Sequence, residues 1–258
     1  MQSVVVKIGG STLGSHDTSL EDLIELTRRG LSPVVVHGGG SVISTWLERQ
    51  GSLPRFVRGL RVTDAAGLEV VTAVLCGLVN TSLVAGIVRK GGRAVGLNGA
   101  DDGLFQAEIV EPDLGRVGSI VSVNTAPVLA LMERGYIPVV APVSLHGSSD
   151  PDSELPVLNV NADTAAGELA KALGAQRLIF LTDVEGVLDS SRRLISRLSP
   201  TQARRLITSG VAVGGMIPKL EACLRALDPV TTAQIIDGRR SGALLEAMED
   251  QKIGTRIE

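Results

Sequence analysis

At 258 residues, the chain is long enough to bury a sizeable core, either in one two-lobed domain or in two small domains. Its composition is that of an ordinary globular protein, and its formal net charge of −3 excludes a general electrostatic attraction to nucleic acid or to an anionic membrane. We therefore expect a small-molecule partner, with no nucleic-acid and no membrane partner.

Two strands in the first part of the chain run directly into glycines. The first is an apolar strand over residues 4–8 that carries Lys7 and ends at Gly9–Gly10. The second is a valine-rich strand over 33–36 that ends at His37–Gly40. Glycine lets backbone N–H groups approach a bulky anion closely. Two such turns and a lysine predict a phosphate site, with a tight turn that binds no ligand as the alternative.

Amphipathic helices are predicted on either side of the second strand, over residues 20–29 and 41–50. A strand, a helix and a strand in succession favour parallel strands joined by a right-handed crossover. The N–H groups at the start of the second helix then point back at the glycine turn and add partial positive charge there. Residues 53–63 are predicted as a short surface hairpin that could act as a lid.

Residues 70–88 carry no charge and are about long enough to span a bilayer. The stretch contains polar residues such as Thr72 and Asn80 and has no aromatic anchors at its ends, so we expect a helix that is covered by protein. We interpret it as a subunit interface, and we expect a homodimer.

The two cysteines, Cys76 and Cys223, are far apart and lack the spacing of metal ligands. Such solitary cysteines are typical of reduced thiols in a cytoplasmic protein. The first residues also lack the pattern of a secretory signal. We therefore expect a cytoplasmic location and no metal site built from protein ligands.

The rest of the chain continues to alternate between strands and helices. Strands are predicted at 94–99, 136–141, 157–161, 177–182 and 233–236, helices at 127–134, 164–173, 199–209, 220–227 and 242–249, a hairpin over 104–123, a loop over 145–156 and a glycine-rich turn over 211–218. This alternation predicts an α/β fold with a mainly parallel sheet between layers of helices.

Lysine is rare in this chain. The 25 basic residues include five lysines, at positions 7, 90, 171, 219 and 252. Lys219 follows Gly214–Gly215 at a predicted helix start, where a cation opposes the helix macrodipole unless an anion is bound. Lys7 and Lys219 are thus candidates for holding an anion, with ordinary surface lysines as the alternative.

Three further polar positions suggest a site. Asn159 and Asn161 are two residues apart, so on a strand both side chains would point to one face, although a capping or turn role is the alternative. Asp163 could instead be the N-cap of the helix that begins at Thr164. Arg61 could hold a carboxylate through a bidentate pair or lie on the surface.

Two nucleotide-binding patterns are absent from the sequence. It contains no Gly-x-x-x-x-Gly-Lys-Ser/Thr motif, which excludes a P-loop enzyme. It also lacks a Gly-x-Gly-x-x-Gly turn after the first strand and an acidic residue at the end of the second, which disfavours a dinucleotide fold. Several glycine-rich turns still follow strands, at the edge of a parallel sheet where ligands bind.

Seven motifs occur in a characteristic order: Lys7–Gly10, His37–Gly40, Gly59–Asp64, Asn159–Asp163, Thr182–Leu188, Gly214–Lys219 and Ile235–Arg239. With these motifs, the chain resembles the amino acid kinase family over essentially its whole length. Within that family it is most similar to the enzymes that phosphorylate N-acetyl-L-glutamate.

The resemblance implies a three-layer αβα sandwich with a mainly parallel central sheet, like that of carbamate kinase. Residues 1–165 would form an N-terminal lobe that binds the acylamino acid, and residues 166–258 a C-terminal lobe that binds the nucleotide. The implied reaction is transfer of phosphate from ATP to the γ-carboxylate of N-acetyl-L-glutamate, in arginine biosynthesis. Mg²⁺ would be bound mainly through the nucleotide.

The resemblance also implies a role for each matching residue. The implied catalytic residues are Lys7, Lys219, Asp163, Gly10, Gly39 and Gly40. The implied substrate-binding residues are Arg61, Asn159, Asn161 and Gly38. The implied nucleotide-binding residues are Asp183, Val184, Gly186, Val187, Leu188, Gly214, Gly215 and Met216.

The chemistry of such a reaction suits these residue types. A carboxylate nucleophile, with a reference pKa near 4.3, is already ionised at neutral pH, so no general base is required. Asp163 would therefore orient the two lysines rather than remove a proton. The lysines, glycine N–H groups and Mg²⁺ would neutralise the phosphoryl oxygens.

Two alternatives stay open. Arg58 stands where the enzymes that act on acetylglutamate commonly have Asn, and the run Cys76–Asn80 is similar to that of kinases that phosphorylate aminoadipate or glutamate on a small carrier protein. A non-catalytic amino-acid sensor on the same fold is the other alternative. The presence of both Lys7 and Lys219 disfavours it.

Overall fold

The computed structural model describes residues 2–9, 18–147, 156–227, 230, 232–249 and 252–258. Within these ranges the strands are β1 (Ser3–Ile8), β2 (Ser32–His37), β3 (Phe56–Val57), β4 (Leu60–Arg61), β5 (Ala94–Gly99), β6 (Phe105–Ile109), β7 (Val117–Val123), β8 (Ile137–His146), β9 (Val157–Val160), β10 (Arg177–Thr182), β11 (Arg197–Leu198), β12 (Thr232–Asp237) and β13 (Thr255–Ile257). The helices are α1 (Ser19–Arg28), α2 (Gly40–Arg49), α3 (Ala65–Thr72), α4 (Asn80–Arg89), α5 (Ala126–Met132), α6 (Ala162–Leu173), α7 (Pro200–Thr208), α8 (Met216–Ala226) and α9 (Ala243–Met248), with a π-helical segment (Ala73–Val79) that joins α3 to α4.

Eleven of the described strands form one sheet. Its order is β11-β13-β12-β10-β1-β2-β8-β6-β7-β9, and β5 pairs with β8 beside this path. The central pairs β12–β10, β10–β1, β1–β2 and β2–β8 are parallel, whereas β6–β7, β8–β9 and β12–β13 are antiparallel. The prediction of a mainly parallel sheet is therefore confirmed.

Alternate residues of the central strands face two separate cores, because successive side chains point to opposite faces of a sheet. In β1, Val5 packs in one core, and Val4 and Val6 pack in the other. The first core is closed by α6 and α8, and the second by α1, α4 and α9. These two cores confirm the predicted three-layer αβα sandwich, while the division into lobes at residue 165 stays a prediction.

The helix that carries Lys219 begins earlier than predicted. Its first residue is Met216 rather than Leu220, and Gly214 adopts a φ of +55° just before it. Pro218 lies in the first turn of the helix, where a missing N–H costs no intrahelical bond. The predicted turn over 211–218 was therefore wrong in its last three residues.

Two sheet features also differ from the predictions. Strand β8 continues beyond the predicted end at residue 141 to His146, since its last residues pair with β6 and β9. Most of the predicted loop over 145–156 lies outside the described residues. The short strand β13, which pairs antiparallel with β12, was not predicted.

By length and composition alone, residues 65–89 form one helical stretch that could cross a membrane. Leu83 and Ile87 of this stretch are buried in the core, whereas Leu78 and Val88 are exposed. The stretch thus packs one side against the protein, as expected of a covered helix. Its predicted role as a subunit interface stays a prediction.

The C-terminal strand depends on a glycine with no room for a side chain. Gly254 has a φ of +63°, and a Cβ there would lie 2.1 Å from the carbonyl oxygen of Ile235. Gly254→Ala should lower the free energy of unfolding by more than about 3 kcal/mol, because backbone strain and a clash combine. Gly30→Ala is the control, since Gly30 has a φ of +81° but nothing within 4 Å. It should cost about 1 kcal/mol in urea unfolding, and equal effects would contradict the structure.

Candidate active site

A cleft of about 210 Å³ opens at the carboxyl ends of the central parallel strands, where α/β proteins bind ligands. Eight of the predicted site residues line it: Lys7, Gly38, Gly39, Gly40, Arg61, Asn159, Asn161 and Asp163. The other lining residues are Ile43, Phe56, Gly59, Leu60, Leu75, Val117, Pro142, Val160 and Ala162. The structure thus brings together most of the residues predicted for catalysis and for substrate binding. Lys219 does not line the cleft itself but pairs with Asp163, which does. Gly10 lies outside the described residues.

Asp163 lies between two lysines from opposite ends of the chain. Its Oδ1 atom is 2.6 Å from Nζ of Lys7, and its Oδ2 atom accepts a hydrogen bond of 3.1 Å from Nζ of Lys219. The Asp163 side chain is 6% exposed, and the side chains of Lys7 and Lys219 are 8% and 17% exposed. Lys219 also donates to the carbonyl oxygen of Gly215 at 3.2 Å. Two ammonium groups are therefore fixed beside one carboxylate.

The three charges change one another's ionisation. Burial opposes the charge of Asp163, but the two ammonium groups outweigh burial and hold its pKa below the usual range. Burial, together with the charge of Lys219, lowers the pKa of Lys7, while Asp163 acts in the opposite direction. An anion that entered the cleft would stabilise the charged form of Lys7. The arrangement is therefore suited to binding an anion.

Asn161, and not Asp163, caps the helix that carries Asp163. The side chain of Asn161 accepts hydrogen bonds from the N–H groups of Asp163 and Thr164, at 2.9 and 3.1 Å. The alternative that Asp163 is the N-cap is therefore wrong, and the capping alternative holds for Asn161. Because Asn161 supplies the cap, the carboxylate of Asp163 is left for the two lysines. Asn159 lies on β9 and donates to Oγ1 of Thr63 at 3.0 Å.

The second glycine turn leads directly into α2. Gly38 donates its N–H to the carbonyl oxygen of Ile8 at 3.0 Å, which continues the pairing of β1 with β2. Gly39 is the N-cap residue and Gly40 is the first residue of the helix. The first N–H groups of a helix lack partners within it and carry partial positive charge. A Cβ at Gly39 would lie 2.7 Å from Cδ2 of Leu75, so a larger residue cannot replace this glycine without movement.

Arg61 is held against the same helix. Its Nη2 atom donates to the carbonyl oxygen of Gly40 and to Oγ of Ser44, both at 2.8 Å, and its guanidinium lies 4.6 Å from the ring centre of Phe56. Burial lowers the pKa of Arg61. Among the described residues, its buried Nη1 atom has no hydrogen-bond partner. Such an orphaned donor is suited to an incoming carboxylate.

The residues predicted for the nucleotide lie next to this cleft. Asp183 follows β10, which pairs with β1, and its charge acts on Lys7. Val184 and Leu188 are exposed, but Val187 is buried and exchanges backbone hydrogen bonds with Oγ1 of Thr255 and the N–H of Ile195. Both backbone groups and the side chain of Val187 are thus engaged within the protein.

The glycines predicted to bind the nucleotide, which follow β10 and precede α8, have structural roles in the backbone turns. A Cβ at Gly186 would lie 2.7 Å from Oγ1 of Thr255, so Gly186 permits the close contact that fixes this turn. Gly214 and Gly215 lead into α8, and Met216, its first residue, is half-buried. Whether these residues contact a nucleotide stays a prediction.

A model of the amino acid kinase family matches residues 2–237. The chain belongs to the amino acid kinase family. It is 43% identical over 254 residues to an acetylglutamate kinase from Dehalococcoides mccartyi, and this alignment covers 98% of this chain and 93% of that protein. It is 46% identical to an acetylglutamate kinase from Gloeobacter violaceus, over 99% of this chain and 87% of that protein.

A solved structure has a closely similar fold. The protein smu.665 from Streptococcus mutans UA159 superposes with a TM-score of 0.84 and 27% identity, and the match covers 99% of this chain and 98% of that one. The fold inferred from the sequence motifs is therefore found in a full-length relative.

Several residues of this family member were not predicted as part of the site. Thr63 accepts the hydrogen bond from Asn159, Phe56 stacks on Arg61, and Ser44 accepts from Arg61. Thr63 lies within the motif Gly59–Asp64, so its position in the sequence could have marked it as a site residue. The contacts of Phe56 and Ser44 depend on how the hairpin β3–β4 lies on α2, and no local pattern marks that.

Replacement of Asp163 tests the central ion pairs. The folded-state pKa of Asp163 lies below its unfolded-state value near 4, so its charge stabilises the fold above about pH 4, and this is lost as the pH falls through the folded-state pKa. Asp163→Asn should lower the free energy of unfolding by about 3 kcal/mol at neutral pH, because two buried ammonium groups lose their counter-ion.

The measurement is urea unfolding from about pH 3 to about pH 7. The difference from the wild type should narrow as the pH falls below about 4, because Asp163 is protonated first in the unfolded chain and only at lower pH in the folded protein. The exposed carboxylate of Asp113 provides the control, and Asp113→Asn should change stability by less than about 0.5 kcal/mol. A difference for Asp163→Asn that stays constant across the pH range would contradict the lowered pKa.

Proposed function

We propose that this chain transfers the γ-phosphoryl group of ATP to the side-chain carboxylate of N-acetyl-L-glutamate, a step of arginine biosynthesis. The observation that carries the proposal is one cleft that holds Asp163 between two lysines and, on another wall, Arg61 with an unpartnered Nη1 atom. Acetylglutamate kinases that are 42–47% identical over nearly the whole chain support the choice of substrate.

The reaction needs charge neutralisation more than proton transfer. The carboxylate that attacks is ionised at neutral pH, so Asp163 does not have to act as a base. We assign Asp163 to orienting Lys7 and Lys219, and the lysines to the oxygens of the transferring group. The N–H groups of Gly39 and Gly40 add donors whose directions are fixed before the substrate binds.

The residues present fit ATP as the phosphate donor. Two lysines and a helix start converge on the cleft, and these are the groups that bind phosphate. The described residues contain no group of three His, Cys, Asp or Glu side chains that could hold a metal ion. Mg²⁺ would therefore be held mainly by the phosphates that it accompanies, and it would neutralise part of their charge. Residues 183–188 and 214–216 are our candidates for binding the rest of the nucleotide.

We assign the acylamino acid to the part of the cleft between Arg61 and Asn159. The unpartnered Nη1 atom of Arg61 supplies a donor for the carboxylate that does not react. The amide of Asn159 is held by Thr63, so its remaining polar atom keeps a fixed direction. Asn161 lies at the same wall but is engaged as the helix cap, and we assign it to positioning Asp163.

Three broader assignments complete the proposal. The N-terminal lobe binds the acylamino acid and the C-terminal lobe the nucleotide, with residue 165 as the approximate boundary. The protein acts in the cytoplasm. It forms a homodimer through the exposed apolar side of residues 70–88, where Leu78 and Val88 face outwards.

Turnover with four acceptors tests the substrate assignment. ATP consumption should be fastest with N-acetyl-L-glutamate and much slower with free glutamate, aminoadipate or aspartate. A preference for any of the other three would overturn the assignment. A small acidic carrier would contact the neighbouring arginines Arg55, Arg58 and Arg61. A carrier-linked acceptor is disfavoured because Arg58 is already paired with Glu111 at 3.0 Å.

Lys219→Ala tests the phosphoryl-binding role. We expect kcat to fall about 10²- to 10³-fold, as on loss of one donor to a developing charge. Lys171→Ala is the matched control, because Lys171 is an exposed lysine on α6 and should keep kcat within about twofold. Steady-state kinetics measure both variants, and a Lys219→Ala rate within about threefold of the wild type would contradict the role.

Arg61→Lys separates substrate binding from chemistry. A lysine keeps the charge but cannot contact Gly40, Ser44 and a carboxylate with one planar group. We expect the KM for N-acetyl-L-glutamate to rise about 10- to 100-fold, with the KM for ATP changed less than about twofold. Arg55→Lys, at an exposed position in the same segment, should change neither constant. An unchanged KM in Arg61→Lys would remove Arg61 from the substrate site.

A further inference from the structure

A buried polar network lies next to the second glycine turn, outside the set of residues that line the cleft. His37 is fully buried at the end of β2, and Asn80 is 5% exposed at the start of α4. The Nδ2 atom of Asn80 lies 3.1 Å from Nε2 of His37, 2.8 Å from the carbonyl oxygen of Val139 and 3.3 Å from that of Leu97. Neither side chain lines the cleft, so neither one is placed to touch a substrate.

The hydrogen bonds of Asn80 determine which nitrogen of the His37 ring carries the proton. Two carbonyl oxygens surround Nδ2, so this atom must be the amide nitrogen, which is a donor. Nε2 of His37 must then accept, and the proton is on Nδ1, which donates to the carbonyl oxygen of Gly38 at 3.1 Å. Burial, with a contribution from the charge of Lys7, lowers the pKa of His37 to about 4. The ring is therefore neutral at physiological pH.

The ring in turn fixes the peptide unit between Gly38 and Gly39. In a trans peptide, the carbonyl oxygen and the N–H point in opposite directions. The hydrogen bond from His37 holds the Gly38 carbonyl towards the ring, so the Gly39 N–H points away from it. Gly38 is also tied through its own N–H to Ile8. The direction of the Gly39 N–H is thus set by side chains outside the cleft.

We infer that Asn80 is a positioning residue that acts through His37 to direct the Gly39 N–H towards the transferring phosphoryl group. The inference rests on the proposed function, which assigns that N–H to the phosphoryl oxygens. The phosphoryl transfer step itself is unchanged, and Asn80 supplies orientation only. Misdirection of one fixed donor reduces the rate without removing the substrate site.

Gly96 supports this assignment from the opposite side of Asn80. A Cβ at Gly96 would lie 2.0 Å from Oδ1 of Asn80 and 3.1 Å from its Cγ, so the strand β5 leaves just enough space for the amide. Gly96 does not line the cleft. Asn80 also directly follows the π-helical segment, a form of helix that is frequent at functional sites. The amide is therefore held from several sides in the orientation that His37 requires.

The tautomer of His37 is the first test, and it uses the unmodified protein. The signals of the His37 ring in long-range ¹H–¹⁵N NMR spectra are identified as those that are missing from the spectrum of His37→Gln. In the wild type these signals should show the proton on Nδ1. In Asn80→Ala the ring should lose this fixed tautomer. A wild-type ring with its proton on Nε2 would overturn the inference, even if Asn80→Ala proves too unstable to study.

Kinetics of two single variants are the second test. Asn80→Ala and Gly96→Ala should each lower kcat about 10- to 100-fold, because both misdirect the same donor, and each should keep the KM values within about threefold. The control is Val84→Ala. Val84 lies on α4 together with Asn80 and also faces Gly96, so this variant shortens a neighbouring side chain but leaves Asn80 in place. It should keep kcat within about twofold. A kcat near the wild type in a folded Asn80→Ala or in Gly96→Ala would overturn the inference.

The double variant separates positioning from a general structural effect. Once Asn80 is Ala, the atoms that the Gly96→Ala methyl group would strike are absent, so Gly96→Ala should have no further effect on kcat. Independent effects that multiply would overturn the inference. If the wild-type enzyme does not phosphorylate N-acetyl-L-glutamate, the proposed function is contradicted. If the wild type does so and Asn80→Ala and Gly96→Ala turn over as fast, only the role of Asn80 is contradicted.

Discussion

The carboxylate of Asp163 between Lys7 and Lys219 is the interaction on which the rest of the site depends. It requires a close approach of two helices, because Asp163 lies in the first turn of α6 and Lys219 in the first turn of α8. Gly167 makes that approach possible, since a Cβ there would lie only 3.0 Å from the carbonyl oxygen of Ala222. Ala222 is three residues after Lys219, on the same face of α8. A small residue in one helix therefore determines where a charged side chain of the other can lie.

This charge arrangement is incomplete without a ligand. Two ammonium groups and one carboxylate leave an excess of positive charge in a largely buried position, and the lowered pKa of Lys7 reflects that cost. An anionic ligand removes the excess. The charge of Lys7 thus costs stability in the free protein, and the two lysines together provide binding energy for phosphate. Charged groups that are oriented before binding need no rearrangement during reaction, which is the usual source of electrostatic catalysis.

How much the sequence predicted depends on how local each signal is. Lys7 and the glycines that follow the first two strands belong to short patterns with a direct physical meaning, so both turns were predicted. Asn161 and Asp163 are both good caps, and only the backbone path after β9 decides between them. The start of α8 was predicted four residues too late, because glycines and a proline are typical of a turn, whereas Pro218 lies here in the first turn of the helix. The pair His37 and Asn80 is separated by 43 residues, and no spacing rule connects them.

Backbone donors impose a different constraint from side chains. Apart from proline, no residue in place of Gly39 removes this N–H, so other substitutions change its contribution only through its direction. That direction depends on the residues packed around the turn, such as Leu75, which leaves no space for a Cβ at Gly39, and His37, which holds the preceding carbonyl. The direction of this donor therefore depends partly on a residue outside the cleft, since His37 does not line it. Leu75 lies in the π-helical segment Ala73–Val79 and Asn80 directly follows it, so one stretch of helix supplies both the residue that packs on Gly39 and the residue that holds His37.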